Sequence, residues 1–307
     1  MRLGVLDVGS NTVHLVVVDA HRGGHPWPAH SRKTVLRLVE HLGPGGEIRP
    51  EEADALVAAV AEARAAADQL GVEELLAFAT SAIREATNGP EVLARVHAET
   101  GVMLGVLSGD EEARITFLAA RRWFGWSAGR LLVVDLGGGS LELATGLDEE
   151  PEFVVSLPLG AGRLTREFFA DADPPTAEAV DALATYVATA LDPVVDKLAG
   201  RAWDRAVGTS KTLRTLARLA GAAPSSAGPW VPRRLTSAGL RQVRGFIQHI
   251  PSTALAGMEG VSPTRAHQLV AGAVVADTVL NRLGIDVLHQ CPWALREGMI
   301  LRRLDLT

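Results

Sequence analysis

The chain carries one short pattern twice, and this repeat limits what it can fold into more than any other feature. Leu131-Leu-Val-Val-Asp135-Leu-Gly137-Gly-Gly-Ser140-Leu-Glu142-Leu143 lies over Leu3-Gly-Val-Leu-Asp7 and its continuation. Asp7 falls on Asp135, Gly9 on Gly137, Thr12 on Ser140 and Leu15 on Leu143, each 128 residues apart. Both copies read as a strand ending in Asp, a turn of small residues and an outgoing strand. In the first copy Val13, Leu15 and Val17 alternate with His14, Val16 and Val18, the period of a strand. Because β-pattern resumes directly after the turn, where a P-loop would open a helix, the element is a hairpin. A duplicated opening element predicts two similar domains facing one another. The length of 307 residues gives room for both, at ~100–200 residues each.

Around the hairpins, helical and strand patterns alternate, so the fold class is α/β. Glu51–Leu70 reads as an Ala-rich helix stopped by Gly71, Leu75–Ala79 as a strand and Glu91–Thr100 as a helix. Val102–Leu107 follows as a strand and Glu111–Phe124 as a helix. The glycines at 125 and 129 mark a boundary that divides the chain into domains 1–126 and 127–307. In the second half come a strand at Phe153–Leu157, a turn at Gly160-Ala-Gly162 and a long helix at Thr176–Ala199. A strand-turn-helix over Arg205–Leu219, a loop at Ala222–Pro232 and three more helical segments complete it. The last helix, 294–304, could cross back onto the first domain.

A turn built from Gly, Ser, Asn and Thr lets backbone N–H groups converge on an anion, because small side chains permit close approach. Gly9, Ser10, Asn11 and Thr12 make one such turn, and Gly137, Gly138, Gly139 and Ser140 the other. Asp7 and Asp135 are either turn-capping residues or, beside phosphates, carboxylates that need a cation such as Mg²⁺. Glu142 follows Ser140 by two residues, on the same strand face, and is either an exposed strand residue or another metal ligand. Gly208, Thr209, Ser210 and Lys211 form a third candidate phosphate turn at a helix start. Arg84, just after a strand, is a surface residue or a bidentate phosphate clamp. Lys33, within the basic run Arg32, Lys33 and Arg37, guides a longer anion or lies on a solvated strand face. Ser108-Gly-Asp-Glu111-Glu112 opens a helix with acids favoured by its dipole, or supplies a general base that orients a water.

Composition narrows the field further. Thirty-six acidic side chains against 30 basic ones give a net charge of −6, which argues against a dedicated nucleic-acid binder while leaving room for a local anion site. A single cysteine, Cys291, excludes an internal disulfide and a thiolate zinc cluster and fits a reducing cytoplasm. His21, His25 and His30 sit in a Gly/Pro loop with no carboxylate at ligand spacing, so zinc is not expected. No apolar run reaches the ~18 residues of a membrane span, and Asp7 interrupts any secretory apolar region, so a soluble chain is expected. The apolar helices of the second half leave a homodimer open.

Four blocks, LDVGSNTVHLVV at 6–17, ATSAIREATN at 79–88, VLSGDEEAR at 106–114 and VVDLGGGSLEL at 133–143, together resemble the exopolyphosphatase/guanosine pentaphosphate phosphohydrolase family. GTSKTLRTLA at 208–217 and CPWALREGMI at 291–300 add weaker matches. The resemblance implies two ribonuclease-H-like (actin-like) domains with the active site in the interdomain cleft. It implies Glu112 as catalytic base, Asp135, Ser140 and Glu142 as residues of the glycine-rich turn's active site, and Arg84 at the substrate. It also implies Mg²⁺ and release of terminal phosphate from inorganic polyphosphate or from pppGpp. A kinase of the same superfamily and a non-catalytic polyphosphate or nucleotide sensor are the rival readings. Two departures stand out: Lys211 replaces a Gly frequent in the family, and the C-terminal helical domain of longer relatives does not follow before Thr307. The second departure predicts weaker hold on long polyphosphate and a preference for short chains.

Overall fold

The computed structural model describes residues 1–306. Two compact units divide the chain: Met1–Ile115 together with the residues from Leu295 onward, and Thr116–Ala294.

In the first unit the elements are β1 (Arg2–Val8), β2 (Thr12–Asp19), β3 (His30–Val35), α1 (Pro50–Gln69), β4 (Glu74–Ala79), α2 (Ser81–Arg84), α3 (Gly89–Thr100) and β5 (Gly105–Val106). The division of the chain falls inside α4 (Gly109–Phe124). The sheet order is β3-β2-β1-β4-β5, with β1 antiparallel to β2 and parallel to β4. α1 starts where its sequence says: Pro50 takes the first turn with Glu51 and Glu52, and the helix ends before Gly71 at φ 68°. Its stripe Leu56, Val60, Ala63 and Ala67 packs with Leu6, Val8, Leu15 and Val17 on one sheet face.

The second unit contains β6 (Leu131–Leu136), β7 (Leu141–Gly146), β8 (Phe153–Leu157), α5 (Ala161–Phe168), α6 (Ala177–Leu198), β9 (Arg205–Gly208) and α7 (Lys211–Leu219). β10 (Arg234–Thr236), α8 (Ser237–Ile247), α9 (Ser252–Leu255), α10 (Leu269–Arg282) and β11 (Val287–Gln290) complete it. Its sheet order is β10-β11-β9-β6-β7-β8, so β8-β7-β6-β9-β11 repeats the first unit's arrangement and β10 is added at the edge. α10 is buried on every side from Leu269 to Leu280. Its one buried acid, Asp277, is neutralised by Arg244 at 2.6 Å. No helix among the described residues is long and apolar enough to cross a membrane. The final helix, α11 (Leu295–Asp305), returns to the first unit, where Ile300 and Leu304 pack on Leu3, Val5, Val16 and Val18.

The repeat read from sequence is a repeat of register. Asp7 pairs with His14 across β1–β2, and Asp135 with Glu142 across β6–β7, each pair shifted by the same 128 residues. The turns match as well: Gly9 N–H donates to the Thr12 carbonyl at 3.0 Å, Gly137 N–H to that of Ser140 at 2.9 Å. Three local expectations differ from the structure. The strand predicted over 102–107 narrows to Gly105–Val106, because Val102 and Leu104 turn into the core and the edge position pairs only two residues. The turn predicted at 160–162 is the start of α5, with Gly160 as its cap. β10 and β11, three and four residues long, lie where only helices were expected.

Candidate active site

Each hairpin turn is tied back by its carbonyls. In the second unit the carbonyl of Gly137 accepts from Ala161 N–H, that of Gly138 from Arg163 N–H, and that of Gly139 from Gly160 N–H and Arg163 Nε, at 2.9–3.3 Å. A trans peptide points its N–H opposite to its C=O, so the N–H groups of Gly138, Gly139 and Ser140 are directed away from α5. The first unit uses a different clamp for the same purpose. The Asn11 carbonyl accepts from Leu36 and Arg37 N–H, and the Ser10 carbonyl from Val39 N–H, which directs the amides of Asn11 and Thr12 outward. Ser10 Oγ also bonds Ser81 Oγ at 3.1 Å, fixing the turn to α2. Converging amides of this kind bind anions without any charged side chain. The two turns are legible in the sequence, but the clamps at 36–39 and 160–163 are not, because they are main-chain contacts.

The helix start at 108–112 separates two neighbouring acids that local pattern leaves equivalent and that the family resemblance already divides in favour of Glu112. Ser108 and Glu111 form a capping box: Ser108 N–H and Oγ both donate to Glu111 Oε2 at 2.8 Å, and Glu111 N–H donates back to Ser108 Oγ at 3.2 Å. The bond from the Ser108 N–H holds the Glu111 carboxyl below the usual range, helped by the Ser108 hydroxyl. Glu111 is thereby committed to the cap. Glu112, one residue on, is buried at 8% exposure and bonded by Arg84 Nη1, which also donates to the Leu107 carbonyl at 2.7 Å. Two residues expected at the site, Arg84 and Glu112, are therefore in direct contact.

Removing the cap should be felt in stability. Ser108→Ala is expected to cost about 0.5–2 kcal/mol at neutral pH, measured by urea unfolding. Because the folded Glu111 carboxyl titrates below its unfolded counterpart, its contribution is complete above the ordinary range near pH ~4.3 and disappears as pH falls through the folded value. The Ser108→Ala deficit should shrink over that acid window; a deficit that stays constant into strong acid would discount the carboxylate's part.

The strand ends carry different charges in the two units. In the second, Asp135 and Glu142 are a directly opposed pair on one face of the β6–β7 hairpin, and Ser156 Oγ donates to Glu142 Oε1 at 2.8 Å. Like charges directly opposed destabilise a sheet, whereas hard oxygen donors so placed suit Mg²⁺, which takes one or two carboxylates and leaves its other positions to water and phosphate. The donor set fits the ion. Among the described residues no group of three or more His, Cys, Asp or Glu side chains is placed to hold a metal, so any such site rests on this pair with other oxygens. In the first unit Asp7 pairs with His14, which pairs in turn with Lys33 on β3. The first row thus sets Asp7 beside an imidazole and an ammonium group where the second sets Asp135 beside a carboxylate and a hydroxyl. Lys33 and Arg32 lie on this edge strand, and Arg32 forms an ion pair with Glu62 at 2.7 Å.

The third turn is also built. Thr209 N–H donates to the Val134 carbonyl at 3.2 Å, continuing the β6–β9 ladder, and Ser210 Oγ caps α7 by accepting from Leu213 N–H at 3.1 Å. Gly208 is closely packed, since a Cβ there would stand 2.7 Å from Leu288 Cδ2 and 3.0 Å from Leu213 Cδ1. Lys211 opens α7 and shares a small pocket of the second unit with Arg265 and Gln268. Arg265 and Gln268 were not anticipated.

Residues 17–307 match the Ppx/GppA phosphatase family. The chain belongs to that family. Among Ppx/GppA relatives, Exopolyphosphatase 1 of Mycobacterium tuberculosis is 56% identical over 306 residues, covering 99% of this chain and 89% of the relative. The Ppx/GppA enzyme of Aquifex aeolicus superposes with a TM-score of 0.80 at 29% identity, over 98% of this chain and 99% of that one. An exopolyphosphatase of Cytophaga hutchinsonii shares the fold at TM-score 0.88 and 23% identity, covering 100% and 99%. The expected α/β architecture of two actin-like domains is therefore that of this phosphatase family, and the chain is an enzyme of it.

Proposed function

We propose that the protein is a Mg²⁺-dependent exopolyphosphatase acting in the cytoplasm, removing the terminal phosphate of inorganic polyphosphate and favouring short chains. The observation that carries this reading is the doubled turn: both units fasten the carbonyls of one hairpin turn behind it and direct its amides outward. Successive phosphates can be held by such turns without a dedicated basic surface. Arg84, Lys211 and Lys33 add cationic donors, with Arg84 offering a planar fork and the lysines point charges. Glu112, oriented by Arg84, accepts a proton from a water whose oxygen attacks the terminal phosphorus. The bond from that phosphorus to the bridging oxygen breaks, and the shortened chain departs with the oxygen. Asp135 and Glu142 would hold Mg²⁺, which when bound supplies neutralising charge for phosphate oxygens. The name of the 56% identical mycobacterial relative supports polyphosphate as the substrate class.

A phosphate-release panel tests the reading, using short polyphosphate, long polyphosphate, pppGpp and ATP, each with and without Mg²⁺. Release should depend on Mg²⁺ and be fastest from short polyphosphate. A marked preference for very long chains would overturn the chain-length part. Release confined to pppGpp would move the assignment to the nucleotide, and tight polyphosphate binding with no release would make the protein a sensor.

A further inference from the structure

The row of side chains across each sheet shows how the two copies of the hairpin have diverged. In the second unit Glu142 stands opposite both Asp135 and Ser156. Val134 pairs in parallel with Gly208, and Thr209 N–H continues that ladder, so the pleat puts the Thr209 side chain beside Asp135 on the same face. The row across β9, β6, β7 and β8 is therefore Thr209, Asp135, Glu142, Ser156: hydroxyl, carboxylate, carboxylate, hydroxyl. The corresponding row of the first unit is Phe78, Asp7, His14, Lys33. There three of the four oxygen donors are replaced by a ring, an imidazole and an ammonium group.

One atom of the second row stands out. Thr209 is fully buried, at 0% exposure, and its Oγ1 has no hydrogen-bond partner, whereas Ser156 at the other end is spent on Glu142. A buried hydroxyl without a partner is destabilising, and such groups in folded proteins call for a specific reason. Packing does not supply one, since valine would fill the same volume without the penalty. Beside two carboxylates on one face, a hydroxyl has an evident use: serine and threonine hydroxyls join carboxylates as hard oxygen ligands of Mg²⁺ in phosphate-handling sites. Cys291, buried just past the end of β11 with its N–H donating to the Gly208 carbonyl at 2.8 Å, extends the row by a thiol, a soft donor unsuited to this ion.

We infer that the Thr209 hydroxyl is a further ligand of the divalent cation held by Asp135 and Glu142, making the second unit's row a cation site that the first unit's row no longer is. This rests on the reading above that Asp135 and Glu142 bind Mg²⁺, and it reassigns Thr209 from the phosphate turn to the metal.

The test is Mn²⁺ binding to the intact protein without substrate, followed by loss of the free-ion paramagnetic resonance signal. Wild type, Thr209→Val, Thr209→Ser and Glu142→Gln are compared, with thermal unfolding of each in the presence and absence of Mn²⁺. Thr209→Val should weaken Mn²⁺ binding by about 10-fold or more, on the scale of lost groups that support a metal. Its metal-free Tm should stay at or above that of wild type while the Tm gain from Mn²⁺ shrinks. Thr209→Ser should retain affinity. Thr209→Val binding Mn²⁺ like wild type, with Glu142→Gln defective, overturns this inference alone. Absence of Mn²⁺ binding in wild type, or unchanged binding in Glu142→Gln, overturns the Mg²⁺ reading together with it.

Discussion

Glu112→Gln is expected to lower kcat for phosphate release by about 10²–10⁴-fold, the usual worth of a positioned general base. The change keeps size and hydrogen-bonding atoms, so the contact with Arg84 persists in neutral form and the helix start is untouched. KM should move little, because glutamine removes the proton acceptor and leaves the phosphate-holding groups in place. The adjacent substitution is the control. Glu111→Gln alters a carboxylate whose bonds are all to Ser108, so it should weaken the cap and leave turnover near wild type. If Glu111→Gln abolishes activity and Glu112→Gln does not, the assignment of the base is reversed. Equal loss in both would point to the helix start as a whole, with no role particular to Glu112.

The second large effect belongs to a residue that touches no substrate. A Cβ added at Gly160 would lie 2.2 Å from Gly139 C and 2.4 Å from both Gly139 N and Ser140 N. All three are backbone atoms, so no side chain can swing aside and the turn itself must move. Overpacking of this sort costs about 1–3 kcal/mol, and misplacing a binding group by ~1 Å can cost ~10²-fold in rate. Gly160→Ala should therefore reduce kcat/KM by about two orders of magnitude while also lowering Tm. Gly162→Ala gives the graded comparison: its Cβ would meet Gln268 Oε1 at 2.8 Å and the Gly138 carbonyl at 3.2 Å, and the Gln268 side chain can yield. Steady-state kinetics on both variants decide the point. Wild-type rates in Gly160→Ala would mean that the turn's position is not what the reaction depends on.

Much of this arrangement was legible in the sequence for a definite reason. An apolar strand that ends in Asp and turns on small residues must leave the core at that Asp, and finding it twice at one spacing predicted both hairpins and their equivalence. The long helices α1, α4 and α6 were likewise visible, because each runs over four turns or more with start signals in place. What escaped notice was short or relational. β10 and β11 are too brief to show a period, and their pairing is decided by the neighbours they lie against. The carbonyl clamps at 36–39 and 160–163 are main-chain contacts that side-chain identity does not encode. Glu111 and Glu112 are the same residue type on the same helix end; the family motif points to Glu112, and the capping geometry supplies the physical difference between them. Thr209 read as one more hydroxyl in a phosphate turn until the register set it beside Asp135.

The return of α11 to the first unit has a consequence for how this protein comes into being on the ribosome. Leu3, Val5, Val16 and Val18 emerge before the second unit, yet Ile300 and Leu304, which pack on them, follow it. The whole of the second unit, Thr116–Ala294, is synthesised in between. At ~5–20 residues per second, translation of that intervening stretch lasts on the order of ten to forty seconds. Throughout that interval the first sheet has one finished face, against α1 and α3, and one bare apolar face. The second unit is continuous in sequence and can close as soon as it is extruded. The older half in order of synthesis is thus the younger in order of completion, and its uncovered β1–β2 face is the surface on which a nascent-chain chaperone would be most needed.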